Sequence, residues 1–267
     1  MTTIAAMMSA DYGVMGDILR LRTAENPDHP AVIMETGEAV TYGQFDALVD
    51  RVAAALQRDG VQPGEAVAVC ALSSIPYAAV VLGGLRAGVA VAPIAPSSTP
   101  DSIAGMVADC GAKLFFLDAG VAEAQTPAPV AARLIALDGS SAGEAFDAWL
   151  APEGAQPTPV EIVPEAPFNI IYSSGTTGTP KGIVQSHGMR WKHVFRGDAV
   201  GYGPEAVTLL STPLYSNTTL VVFFPTLAGG GTVLLMKKFD AGKYLELAQT
   251  YRMTHTMLVP VQYRRLM

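Results

Sequence analysis

Apolar side chains recur at Met15, Ile18, Leu19 and Leu21, a helical spacing that Asn26-Pro27 closes. Ala31–Met34 is a short apolar run, Thr36-Gly37-Glu38 a turn and Val40-Thr41-Tyr42 a second short run, so the pattern predicts a hairpin. Phe45, Leu48, Val52, Ala55 and Leu56 then line one face of an amphipathic helix. Asp46, Asp50, Arg51 and Arg58 are expected on its solvent side, and Gly60 ends it. Further on, Ala66–Ala71, Val89–Ile94 and Lys113–Leu117 have strand length, and Pro76–Arg86 and Asp101–Cys110 between them read as helices. Alternation of this kind implies parallel strands joined by crossover helices, an α/β class of fold.

From Ala119 to Glu165 the chain turns rich in Ala, Pro and Gly, with a short helix expected around Ala142–Leu150 and a linker-like stretch over 151–159. A division near residue 160 follows: 1–160 as a first α/β subdomain and 161–267 as an incomplete second one. The second part opens on an apolar strand, Phe168–Tyr172. Val207–Met236 carries no charged residue, long enough to raise a membrane span. Pro213, Asn217, Pro225 and Gly229-Gly230-Gly231 interrupt it, which predicts buried strands and a short helix instead.

Composition narrows the function. Hydrophobic residues make up 50% of the 267 and charged residues 15%, which suits a large core and not a disordered chain. Net charge is −7, and the pairs Lys237-Lys238 and Arg264-Arg265 read as solvated surface, so no nucleic-acid partner is expected. Two cysteines without a CxxC pair, and four scattered histidines, argue against a structural zinc site; Cys70, in an apolar run, reads as a buried thiol. The N-terminus lacks the basic stretch of a secretory signal, and with the low cysteine count this points to the cytoplasm.

Residues 172–182 read Tyr-Ser-Ser-Gly-Thr-Thr-Gly-Thr-Pro-Lys-Gly. Ser173, Ser174, Thr176 and Thr177 crowd around Gly175 and Gly178. Glycine lets backbone N–H groups turn inward, hydroxyls add donors, and Lys181 adds a compact positive charge. Such a set cradles an anion with many oxygens, which points to polyphosphate; the competing reading is a plain surface turn. A Walker A loop needs Gly-Lys-Ser/Thr opening a helix. Here Pro180 precedes Lys181, and Gly182–Gln185 reads as a strand, with a helix starting later behind Ser186. The predicted order is strand–loop–strand.

The segment resembles the phosphate-loop signature of the adenylate-forming (AMP-binding) superfamily: acyl-CoA ligases, luciferases and peptide-synthetase adenylation domains. Three further segments resemble family motifs in the same order: Val40–Phe45, Leu85–Ile94 and Thr212–Tyr215. The resemblance implies the partial N-terminal domain of that fold, with mixed and parallel sheets flanked by helices. It also implies a two-step reaction in which a carboxylate attacks the α-phosphate of ATP and the thiol of coenzyme A then takes the acyl group. Ser173, Ser174, Gly175, Thr176, Thr177, Gly178 and Lys181 would hold the β- and γ-phosphates, with Thr176 and Lys181 in the catalytic part. Mg²⁺ would come with ATP, and no metal ligand is assigned. Tyr215, Ser216 and Asn217 would border the acyl pocket, although many relatives place His where this chain has Ser216. Val259-Pro260 resembles another pocket-bordering segment. His187, where relatives often have His, is expected to be structural, and His193 to lie on the surface.

The family's adenine- and ribose-holding segments and its mobile C-terminal domain with a catalytic lysine have no counterpart among the 267 residues. The expectation is an AMP-forming carboxylic acid–CoA ligase present as an inactive front part, with uncovered apolar surface favouring self-association. Two alternatives stay open: an adenylation domain that loads a carrier protein, and a non-catalytic nucleotide- or partner-binding fragment. An aromatic or related ring acid is the favoured substrate.

Overall fold

The computed structural model describes residues 4–125, 130–173, 180–195 and 200–267. In chain order the elements are α1 (Ile4–Met8), α2 (Met15–Glu25), β1 (Pro30–Met34), β2 (Ala39–Thr41), α3 (Tyr42–Arg58), β3 (Ala66–Cys70), α4 (Ile75–Arg86), β4 (Ala90–Pro93), α5 (Pro100–Asp109), β5 (Leu114–Leu117) and α6 (Ala119–Gln125). They continue with β6 (Arg133–Ala136), β7 (Glu144–Ala145), α7 (Phe146–Trp149), β8 (Pro167–Ser173), β9 (Lys181–Ser186), α8 (His187–Phe195), β10 (Val207–Leu210), α9 (Asn217–Gly229), β11 (Thr232–Leu235), α10 (Ala241–Thr250), β12 (His255–Thr256) and α11 (Pro260–Leu266). The α/β class expected from the alternation is borne out.

The chain folds into two compact units. One holds the residues up to Asp46 together with Ser73–Ile75 and Trp191–Met267; the other holds Ala47–Leu72 and Pro76–Arg190. Residue 160 falls inside the latter, because β8 and β9 join the sheet laid down by earlier strands.

That sheet has seven strands in the order β7-β6-β5-β3-β4-β8-β9. All neighbours run parallel except β9, which is antiparallel to β8. β3 is buried at all five positions, and its Ala-Val-Ala-Val-Cys sequence has no polar alternation because a parallel sheet is covered on both faces. Ile103, Met106 and Val107 of α5 pack with Ala68, Cys70, Phe115 and Leu117. Burying each large side chain of this cluster is worth roughly 1.5–3 kcal/mol. The Cys70 thiol is buried, as expected.

α3 departs from its expected two-faced character. Asp50, expected toward solvent, is buried: its carboxylate accepts from Arg86 Nη1 of α4 at 2.7 Å. Arg51 Nε donates to Ala151 O at 2.8 Å and Arg58 Nη2 to Trp149 O at 2.8 Å. Gln57 bonds the backbone of Thr158 in both directions. The linker-like stretch therefore covers the polar side of α3, and periodicity alone cannot reveal such a cover. The short helix expected at 142–150 shrinks to α7, preceded by the two-residue strand β7.

The other unit is built on a five-stranded sheet ordered β12-β10-β11-β1-β2, parallel except for the β1–β2 hairpin. Tyr42, expected in a strand, instead opens α3 behind a reciprocal cap: Thr41 N donates to Gln44 Oε1 at 2.9 Å and Gln44 N to Thr41 Oγ1 at 3.3 Å. The uncharged stretch 207–236 resolves into β10, α9 and β11. α9 is buried almost all round, and Pro225 lies within it without ending it. Gly230 ends it at φ +86°, a left-handed conformation that suits glycine. Among the described residues no helix is long and apolar enough to cross a membrane.

Candidate functional site

The signature at 172–182 sits on a hairpin. β8 and β9 pair from Pro167↔Ser186 to Ser173↔Lys181, so Ser173 and Lys181 stand opposite each other at one end of the pair. β8 runs parallel to β4, which places this end at the carboxyl side of the sheet, where open α/β sheets bind ligands. Both strands of the expected strand–loop–strand order are present. No helix opens at Lys181: α8 begins at His187, and Ser186 Oγ accepts from Met189 N at 3.3 Å as its cap. A Walker A geometry is thereby excluded.

Of the expected phosphate-binding residues, Ser173 and Lys181 are both exposed at the hairpin end. Among the described residues no carboxylate pairs with Lys181. Ser174, Gly175, Thr176, Thr177 and Gly178 lie outside the described residues.

The strands under the loop are fixed by packing and by polar contacts that sequence reading missed. The Tyr172 hydroxyl lies 2.7 Å from Asp109 Oδ2 and 3.0 Å from Met106 O, both on α5. Burial, then the Asp109 carboxylate taking its hydrogen bond, push the phenol well above its usual range. Arg190 is buried; it donates through Nη2 to Gln185 Oε1 and stands 5.8 Å above the Phe168 ring. Burial pushes its guanidinium down to about 10.

His187 behaves as a core residue. Its ring meets Phe168 edge-on at 5.0 Å, its backbone N–H donates to Ala166 O at 3.0 Å, and burial pushes its imidazole down to about 4. A neutral, enclosed imidazole suits packing, in line with the structural role expected of it. His193, expected on the surface, is half-buried.

Tyr215, Ser216 and Asn217 precede and open α9, with Ser216 as its N-cap residue. The turn before them is held from inside its own unit. The buried Thr219 hydroxyl lies 2.7 Å from both Thr212 Oγ1 and Pro213 O, and Leu214 N donates to Ser73 Oγ at 3.1 Å. Tyr215 and Ser216 are half-buried and Asn217 is exposed. They belong to the unit with the five-stranded sheet, whereas Ser173 and Lys181 belong to the other. Val259 stands just before α11, its N–H donating to Gln262 Oε1 at 3.1 Å, which gives that pair a capping role. Among the described residues no group of three or more His, Cys, Asp or Glu side chains is placed to hold a metal ion.

The chain belongs to the AMP-binding enzyme family, which matches residues 19–267. Among curated proteins it is 29% identical over 249 residues to the fatty acid–[acyl-carrier-protein] ligase ScoC of Streptomyces coeruleorubidus, covering 90% of this chain and 47% of the relative. It is 31% identical over 263 residues to 4-coumarate–CoA ligase 5 of Oryza sativa subsp. japonica, covering 94% and 48%. Among solved structures it resembles the inhibitor-bound N-terminal domain of FACL13 from Mycobacterium tuberculosis, with a TM-score of 0.81, 25% identity, 95% of this chain and 64% of that one. The chain thus spans about half the length of the curated relatives it matches.

Proposed function

We propose that these residues belong to a ligase that activates a carboxylic acid with ATP and hands the acyl group to coenzyme A. The carboxylate oxygen attacks the α-phosphorus, the Pα–O bond to the β-phosphate breaks, and acyl-AMP forms as the β- and γ-phosphates leave together as pyrophosphate. The CoA thiol then attacks the acyl carbon and AMP leaves. No protein nucleophile is needed, so the protein's part is positioning and charge neutralisation.

The observation that carries this reading is the closure of the 172–182 segment at Ser173↔Lys181, on the carboxyl end of β8. In the proposal Ser173, Ser174, Gly175, Thr176, Thr177, Gly178 and Lys181 grip the β- and γ-phosphates. Thr176 and Lys181 offset charge as pyrophosphate departs. Mg²⁺ would arrive on the nucleotide and neutralise phosphate charge, and no described side chain is assigned to it. Tyr215, Ser216 and Asn217 are read as bordering the acyl group.

A carrier-protein thiol is the second reading for the acceptor, favoured by the likeness to an acyl-carrier-protein ligase. The likeness to a 4-coumarate ligase favours a ring acid as substrate. Adenine- and ribose-holding segments are not assigned within the 267 residues, so these residues are expected to bind nucleotide without completing turnover.

The test is ATP–pyrophosphate exchange by the protein that carries this chain, with aromatic and aliphatic acids, then with CoA or a carrier protein as acceptor. Acid-dependent exchange that drops by about tenfold or more in Lys181→Ala is expected, since a lost charge-assisted contact is worth about 1.5–3 kcal/mol. Exchange indifferent to Lys181→Ala overturns the site. Robust exchange by the 267 residues alone overturns the expectation that they do not turn over.

A further inference from the structure

Residues 211–216 leave β10 at the carboxyl end of a parallel sheet, where such sheets bind ligands, and turn the chain into α9. Ser211, Thr212 and Leu214 are buried, Tyr215 and Ser216 are half-buried, and Asn217, which opens α9, is exposed. α9 is a firm base for this turn. Its Leu220 and Phe223 are buried, and the Thr226 hydroxyl lies 2.6 Å from that of Thr208 on β10. The turn closes through Ser216 N, which donates to Pro213 O at 2.9 Å. The Thr219 hydroxyl, in the first turn of α9, reaches back to the same Pro213 carbonyl and to Thr212 Oγ1, at 2.7 Å each. From outside the turn the buried Ser73 Oγ accepts from Leu214 N at 3.1 Å. Ser216 is the N-cap residue, yet its side chain makes no cap bond. The Thr219 N–H that such a cap would meet donates instead to the Ser216 carbonyl at 3.0 Å.

We propose that Thr219 is a positioning residue for the acyl group, its buried hydroxyl holding the 212–216 turn on α9 so that Tyr215, Ser216 and Asn217 keep fixed places beside the substrate. The inference rests on reading those three residues as the border of the acyl site. Lying in neither strand nor helix, residues 211–216 have no repeating backbone bonds to hold them, so single side-chain bonds set the turn's shape. Groups that border a substrate need supports that keep them within about 0.5 Å of their working position, locked by packing and hydrogen bonds. Thr219 meets that need, with its backbone in a buried helix and its hydroxyl enclosed. At 0% exposure it cannot touch the acid, so it acts only through the turn. Without its hydroxyl, a buried carbonyl and a buried hydroxyl lose a partner, and the turn is free to shift to recover one.

ATP–pyrophosphate exchange by the protein that carries this chain tests this, with benzoate, 4-coumarate, octanoate and palmitate as acids. The KM of the acid and the KM of ATP are measured separately, at a temperature well below each variant's melting point. Thr219→Val keeps the shape and removes the hydroxyl. The acid KM should rise about three- to tenfold, the scale of one lost hydrogen bond, with the ATP KM unchanged. Thr219→Ser keeps the hydroxyl and should hold the acid KM within about twofold. Ser73→Ala cuts the other tie to the turn and should raise the acid KM in the same selective way, so it decides the matter if Thr219→Val folds poorly. Tyr215→Ala tests the reading beneath and should shift the acid KM. An acid KM unmoved by Thr219→Val and Ser73→Ala, with Tyr215→Ala still shifting it, overturns the positioning role and leaves the acyl reading intact. An equal rise in the KM of ATP overturns the positioning role too. An acid KM unmoved by Tyr215→Ala overturns the acyl reading and the inference together. Exchange with none of the four acids by the unaltered protein overturns both along with the ligase reading.

Discussion

His187 stands six residues beyond Lys181, where a search for a catalytic base would stop, yet its surroundings are those of a core residue. Phe168 closes one side and burial holds the imidazole neutral, with a folded value of about 4 against an ordinary 6.5. Above pH 6.5 neither folded nor unfolded chain protonates it. Between 6.5 and about 4 the unfolded chain takes the proton first, so stability falls as pH drops. The slope from this one group is about 1.4 kcal/mol per pH unit. Urea unfolding at pH 5 and pH 7 should show that loss in the native chain and a smaller one in His187→Gln; identical pH dependence contradicts the assignment. The hydroxyls, glycines and Lys181 of residues 173–181 could be proposed as a phosphate grip from sequence because their chemistry is local in it. The Tyr172–Asp109 tie could not, since its partners are 63 residues apart and no spacing marks them. Nor did any pattern mark Arg190 as a buried guanidinium.

At the level of elements, hydrophobic spacing found most helices and strands but not what lies over their polar sides. α3 is the clearest case. Its apolar face is where the pattern put it, while Asp50 on the opposite side is buried against Arg86 and the 149–158 stretch covers Arg51, Gln57 and Arg58. Asp50→Ala should cost about 3–5 kcal/mol, because it strands a buried guanidinium. Asp50→Leu combined with Arg86→Met should recover most of that loss. Denaturant titration of the single and double variants checks it, and a single-variant loss below about 1 kcal/mol would show the pair to be dispensable. The start of α3 carried a readable signal, Thr41 followed three residues later by Gln44, which the strand-like run Val40–Tyr42 obscured.

For the whole molecule, the α/β class was readable because parallel strands covered on both faces leave uninterrupted apolar runs, as in β3, β5 and β11. The grouping into units was not, because sheet order is a long-range property. β8 and β9 follow an Ala-, Pro- and Gly-rich stretch that reads as a boundary, yet they extend the sheet of β3 and β4. That extension carries the loop to the carboxyl end of a parallel sheet and links fold to proposed chemistry. The central claim is that residues 173–181 grip the far phosphates of ATP. Phosphorus NMR of MgATP titrated with the chain tests it most directly. The account predicts that the β- and γ-phosphorus signals shift or broaden more than the α signal, and that Lys181→Ala abolishes the effect. Unperturbed β and γ signals, or the same perturbation in Lys181→Ala, would contradict it.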